Sequence, residues 1–279
     1  MGPSRGVIEY FRDKCVLLTG GSSGIGLAAA LQLRQCGAHL ILVARDPAKL
    51  DQARESVGQI GANGAQVHTL TLDVGDREAV AAALQELPGG RPVDVLISNA
   101  GITMPGRFVD LPLTQFEQQM QTNYFGAVYL TKALLPGMLE RGRGHVAYVS
   151  SLVGLMGIFG YTAYAPTKFA LRGLAECLRC EMKPHGIQIS ICYPPDTDTP
   201  QHDFEKPHLP PETRAIAGNA KLLSAEVVAD KLLRGMAAHR FHIVPGGSSR
   251  FADVMYRLFP GMVRSMFDSD VRKAGKPSA

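Results

Sequence analysis

Seven short apolar runs punctuate the chain: CVLLTG, HLILVAR, QVHTLTLD, VDVLISNAG, HVAYVSS, QISICYPP and HIVPGG. Between them lie longer stretches, such as 48–61 and 77–87, whose apolar residues recur at helical spacing. A strand that is apolar throughout must be covered on both faces, because successive side chains leave on opposite sides. Such strands, joined one to the next through helices, form a parallel sheet with helices on both faces. Crossovers are right-handed, and a ligand site is expected at the carboxyl ends of the strands, near the point where strand order reverses. No linker or repeat interrupts the alternation, so residues 1–246 are expected to form one doubly wound α/β domain of about seven strands.

Composition narrows the remaining classes. With 46% hydrophobic and 19% charged residues, the chain has ample material for a core and is not disordered. The five cysteines (Cys15, Cys36, Cys177, Cys180 and Cys192) are odd in number and scattered through apolar segments. That pattern predicts reduced thiols in a cytoplasmic protein. Cys177 and Cys180 form a C-x-x-C inside a helical pattern with no second ligand pair, so no metal is expected. The opening MGPSRGVIEYFRDK lacks the apolar core of a signal peptide. No run approaches the roughly 20 apolar residues of a spanning helix. Residues 240–279 hold seven Lys or Arg against three Asp, an excess equal to the net charge of +4 on the whole chain. The body carries no basic stripe with interleaved aromatics, and no nucleic-acid partner is expected.

After the first strand comes TGGSSGIG, residues 19–26, leading into an apolar helical pattern. Gly20, Gly24 and Gly26 permit a tight turn and a close approach of backbone to a pyrophosphate. Ser22, Ser23 and Ile25 complete the loop, and the helix that follows turns unpaired N–H groups towards phosphate. The second strand ends with Ala44 and Arg45, where a cofactor with a free 2′-hydroxyl would want an acid. Arg45 can pair bidentately with a 2′-phosphate, with Lys49 one turn into the next helix, so the expected cofactor is NADP(H).

The stretch GYTAYAPTKFA holds Tyr161 and Tyr164, and only Tyr164 has a lysine four residues on, Lys168. On a helix that spacing puts both side chains on one face. A free tyrosine has a pKa of about 10; a nearby cationic lysine favours the phenolate and suits the residue to proton exchange. Tyr161, without a lysine partner, is expected to line the pocket.

These features resemble the short-chain dehydrogenases/reductases, a Rossmann-like family. The resemblance covers roughly residues 14–200 and rests on TGGSSGIG, LDV at 72–74, NAG at 99–101, QTNYFG, VSS at 149–151, and Tyr164 with Lys168. It implies a catalytic set of Asn123, Ser151, Tyr164 and Lys168. Ser151, thirteen residues before Tyr164, would hold the substrate carbonyl, and Asn123 a water behind Lys168. Asp73 and Val74 would flank the adenine, and Asn99, Ala100 and Gly101 would line the cofactor cleft. Thr197 and Thr199 in YPPDTDTP match the segment that holds the nicotinamide, and Pro194-Pro195 replaces the usual Pro-Gly before it. Pro166 falls near the start of a helix, where proline is tolerated. A homodimer or homotetramer through the helices carrying Asn123 and Tyr164 is implied by the same resemblance.

The segment GIFGYTAYAPTKFALRGLAECLRCEMKP with YPPDTDTP is more similar to the 3-ketodihydrosphingosine reductases, which implies a lipid-like ketone bearing a 2-amino group. Leu155, Met156, Ile158 and Phe159 supply apolar surface for it, and Asp196 or Asp198 would pair with the amine. A 3-oxoacyl or steroid ketone, and a non-catalytic NADP-binding regulator, are the alternatives. The substrate loop is expected at about 196–224. Residues 247–279 form a basic amphipathic tail with Phe251, Met255, Leu258, Met262 and Met266 on one helical face. Arg250, Arg257 and Arg264 flank that face, and Pro260-Gly261 breaks it. Such a tail suits an anionic membrane surface, or else closes the pocket.

Overall fold

The computed structural model describes residues 2–61, 64–218 and 221–274. Positions 219–220 of the expected substrate loop and 275–279 of the tail lie outside the described residues. Helix α1 (Arg5–Phe11) precedes β1 (Cys15–Thr19), α2 (Gly24–Gln35), β2 (His39–Ala44), α3 (Pro47–Gly58), β3 (Val67–Thr71), α4 (Arg77–Ala83) and β4 (Val95–Ser98). The second half runs α5 (Leu113–Met120), a π-helical turn (Gln121–Phe125), α6 (Gly126–Glu140), β5 (Gly144–Val149), α7 (Ala165–Met182) and β6 (Ile187–Cys192). It continues through β7 (Thr197–Asp198), α8 (Pro200–Glu205), α9 (Pro211–Ala217), β8 (Leu223–Ser224) and α10 (Ala225–Ala237). The chain closes with β9 (His242–Ile243), α11 (Gly247–Leu258) and α12 (Pro260–Ala274).

All seven expected strands pair in parallel, in the order β3-β2-β1-β4-β5-β6-β9. The chain moves outward from β1 to β3 and then returns to the other side of β1, so order reverses between β1 and β4. Strand parity divides the core in two. Val16 and Leu18 face a layer that includes Leu33 of α2, Val57 of α3 and Leu232 of α10. Leu17, between them, faces Val80 of α4, Leu130 of α6 and Leu171 of α7. Burial on both faces is the reason these runs carry no polar alternation.

The tail forms two helices parted at Phe259, beside the helix-breaking Pro260. Helix α12 lies against α9, and α11 is tied to the sheet edge through Asp253. The Asp253 carboxylate accepts from His242 Nε2 at 3.0 Å and from Arg257 Nε at 2.7 Å.

One polar chain runs through the amino-terminal end of the sheet. Tyr10 Oη lies 2.7 Å from His145 Nδ1, and His145 Nε2 lies 2.8 Å from Ser190 Oγ, which donates to the Arg240 carbonyl. A neutral ring with its proton on Nε2 satisfies every member. Burial first, and then the neighbouring His239 and Lys14, pulls the His145 pKa from 6.5 down to about 3. The unfolded chain takes a proton near pH 6.5 that the folded ring refuses, so this contribution to stability is full above 6.5 and is lost as pH falls towards 3. As pH falls below 6.5 the loss steepens towards about 1.4 kcal/mol per pH unit, the slope of one proton. His145→Gln keeps a donor and an acceptor but cannot titrate, so its melting temperature should fall less steeply over that range than that of the wild type. Parallel slopes would refute the assignment.

Candidate active site

The carboxyl ends of β1, β4, β5 and β6 meet where strand order reverses, and each contributes part of one cavity. At the end of β1, Thr19 Oγ1 accepts from the backbone N–H groups of Asn99 and Ala100, both at 2.9 Å. Asn99 Nδ2 returns a bond to the Thr19 carbonyl at 3.0 Å. The glycine loop is thereby fastened to the end of β4. Gly20 holds φ +66°, a left-handed conformation that disfavours other residues. A Cβ on Gly26 would strike the Gly20 carbonyl, so only glycine lets α2 start this close to the strand.

β5 delivers two serines with different tasks. Ser150 Oγ donates to the Lys168 carbonyl at 3.1 Å, fixing the strand end to α7. Ser151 lies beside the Tyr164 phenol. Leu152 N–H donates to the Pro194 carbonyl at 2.9 Å and joins this segment to the end of β6. Tyr164 is the cap of α7, and Pro166 sits in its first turn, where it removes no needed hydrogen bond. One turn on, Lys168 is 3% exposed and its Nζ donates to the Val149 carbonyl at 3.0 Å. Behind it, Asn123 in the π-helical turn accepts from Ile102 N–H at 2.8 Å and donates to the Ile102 carbonyl at 2.9 Å. The same amide donates to Thr167 Oγ1 at 3.1 Å.

Burial governs the charges here. Desolvation pulls the Lys168 pKa down to about 8. The Tyr164 phenol is pushed up, first by burial and then by the negative charge of Glu205, while Gln201 and Ser151 oppose the shift with hydrogen bonds. The group is therefore a protonated phenol at neutral pH. Its ring centroid stands 5.4 Å from Lys168 Nζ, and a cation at that range favours the phenolate.

Of the residues the sequence singles out, the structure brings Gly20, Ser23, Gly24, Ile25, Asn99, Ala100, Gly101, Ser151, Tyr161, Tyr164, Lys168, Pro194, Asp196, Thr197 and Thr199 together in the cavity wall. Arg45 and Asp73 line a separate, more open hollow, with Arg45 Nη1 3.9 Å from Asp73 Oδ2. Ser22, Gly26 and Asn123 are not part of the lining, Val74 is in the core, and Lys49 pairs with Asp46 at 3.8 Å. Two expectations need correction. Asp198 does not reach the cavity: it follows buried Thr197 in β7, and adjacent strand residues face opposite ways. Nor do Leu155, Met156, Ile158 and Phe159 line it; Leu155 is in the sheet core and Ile158 packs behind the two tyrosines.

Sequence reasoning missed Gln201 and Glu205, which α8 brings over the tyrosines. Tyr161 Oη donates to Glu205 Oε2 at 2.9 Å, and Gln201 Nε2 donates to Glu205 Oε1 at 3.2 Å. Thr199 caps α8 by accepting from His202 N–H, with Pro200 in the first turn. Reading that pair as a helix start would have placed Gln201 and Glu205, four residues apart, on one face.

A profile of the short chain dehydrogenases matches residues 14–208, which hold every wall of the cavity. The chain is 42% identical over 231 residues to a 3-dehydrosphinganine reductase from Danio rerio, across 81% of this chain and 69% of that one. Against a 3-ketodihydrosphingosine reductase from Dictyostelium discoideum it is 36% identical over 276 residues, across 92% and 80%. Among solved structures, a short-chain dehydrogenase from Sphingobium yanoikuyae in complex with NADPH is similar, with a TM-score of 0.74 at 26% identity over 95% of this chain and 99% of that one. The chain belongs to the short-chain dehydrogenase family.

Proposed function

We propose that the protein is an NADPH-dependent reductase acting on the 3-keto group of 3-ketodihydrosphingosine, a long-chain 2-amino ketone, in sphingolipid synthesis. The observation that carries the reading is the facing of Ser151, Tyr164 and Lys168 across one cavity from the glycine loop. The two relatives, reductases of this substrate by name, favour it over a steroid or 3-oxoacyl ketone.

The lining fits a dinucleotide. Ser23, at the start of α2, makes no side-chain bond to the first turn, in contrast to Asp46 and Asp76 at α3 and α4. The N–H groups of α2 are thus free for a pyrophosphate. Asp73, Asn99 to Gly101, Thr197 and Thr199 would hold the rest of the cofactor, and Arg45 would meet the 2′-phosphate. Bound nicotinamide supplies the hydride. Tyr164 donates its phenolic proton to the carbonyl oxygen as negative charge grows there, and the Ser151 hydroxyl donates a hydrogen bond to the same atom. Lys168 holds its charge beside the phenol and stabilises the phenolate left behind. Asn123 steadies the first turn of α7 from below through Thr167.

Three substitutions test these roles. Tyr164→Phe removes only the proton donor, so NADPH binding should persist while turnover falls about 10²-fold or more. Tyr161→Phe should cost far less; equal losses would overturn the assignment. Arg45→Asp should lower kcat/KM with NADPH about tenfold or more relative to NADH, the range of a lost charged hydrogen bond. An unchanged ratio would show that Arg45 does not read the phosphate.

The tail supports a membrane-facing role. No helix among the described residues is long and apolar enough to cross a membrane. Phe251, Leu258, Phe259, Met262 and Met266 are nonetheless exposed along α11 and α12, beside Arg250 and Arg264. An apolar stripe edged with arginines suits an anionic lipid interface, from which a long-chain substrate enters more easily than from water. Arg257 is engaged with Asp253 and is left out of the test. Arg250→Glu with Arg264→Glu should release the protein from sedimenting anionic liposomes and spare activity on a soluble short-chain ketone. A wild type that stays in the supernatant at low salt would refute the interface.

A further inference from the structure

Among the described residues three carboxylates are buried: Glu205, Glu212 and Asp253. Two of them have cations. Glu212 takes Arg107 Nη2 at 2.6 Å, and Asp253 takes Arg257 Nε at 2.7 Å. Glu205, 8% exposed, has only the neutral donors Tyr161 and Gln201 and forms no salt bridge among the described residues, and the charge of Asp196 nearby has the same sign. Burying a carboxylate without a counter-charge is costly, and a structure that keeps one beside a cavity has room for a cation to arrive with a ligand.

Its position limits what that cation can be. Glu205 lines the same cavity as Tyr164 and Ser151, and its charge is the second cause of the raised Tyr164 pKa, after burial. The Tyr161 ring, whose hydroxyl it holds, lies 5.9 Å from the Tyr164 ring, centroid to centroid. A substrate whose carbonyl meets Tyr164 can therefore bring a cation to Glu205 if it carries that cation close to the carbonyl. A ketone with an ammonium on the adjacent carbon satisfies this.

We propose that the Glu205 carboxylate is the receptor for the substrate ammonium and the residue that makes the site prefer 2-amino ketones. The proposal rests on the amino-ketone reading above and assigns to α8 what the sequence assigned to Asp196 or Asp198. Asp196 is exposed at the mouth of the cavity, where water screens its charge; Glu205 is inside, where an ion pair discriminates more strongly. Ammonium binding also cancels the negative charge that Tyr164 feels, so the amine joins substrate recognition to the proton donor.

The test compares kcat/KM for a short-chain 2-amino ketone with that for the same ketone lacking the amine. Wild type should favour the amine. Glu205→Gln keeps the size of the side chain and an acceptor for Tyr161, and should reduce that preference about tenfold or more, chiefly through KM. Glu205→Asp, which keeps the charge one methylene further back, should retain part of it, and Asp196→Asn most of it. A wild-type preference that survives Glu205→Gln, or that collapses in Asp196→Asn instead, overturns the proposal alone. A wild type with no preference for the amine overturns both the proposal and the amino-ketone reading beneath it.

Discussion

Parallel pairing sends every strand of the large sheet towards the same edge, and the rest of the molecule is organised around that edge. A carboxyl end exposes carbonyl and N–H groups that have run out of ladder partners, and each must find another. Here they find one another. Thr19 of β1 binds the start of the loop after β4, Leu152 beyond β5 binds Pro194 beyond β6, and the Val149 carbonyl receives the Lys168 ammonium. The cavity is what remains between these ties. Its geometry is held by backbone groups that cannot rearrange without breaking the sheet.

That arrangement accounts for the electrostatic character of the site. Lys168 can stay charged in the interior because a fixed carbonyl meets it, yet burial still brings its pKa down to about 8. Tyr164 stays protonated because burial and Glu205 both disfavour its anion. The same dry surroundings push each group towards its neutral form, and Lys168 keeps its charge at neutral pH because its pKa, about 8, still lies above 7.

Much of this was legible in the residues alone, and the rest was hidden for identifiable reasons. Apolar runs buried on both faces declare a parallel sheet, and the glycine loop and Tyr164 with Lys168 are local patterns whose spacing carries their geometry. Gln201 and Glu205 are different. PQHDFE reads as a solvated polar turn, and nothing in it reports that α8 docks over Tyr161. The placement of Asp196 against Asp198 turned on the parity of a strand only two residues long. Leu155 looked like pocket surface because apolar side chains serve core and ligand alike. In each case the deciding contact lies far away in the chain.

Ser150 and Ser151 have the same side chain, lie next to each other, and do unrelated work. One staples the end of β5 to the Lys168 carbonyl and the other stands at the Tyr164 phenol. No chemistry separates them; only the phase of the strand they leave does. A single residue inserted within β5 would put Ser150 in the place of Ser151 and Val149 in that of Ser150, and a deletion would put Leu152 where Ser151 stands, while leaving composition and hydrophobicity almost unaltered. The identity of the reacting group in this fold is a matter of counting, and the long register that β5 keeps with β4 and β6 is what preserves the count.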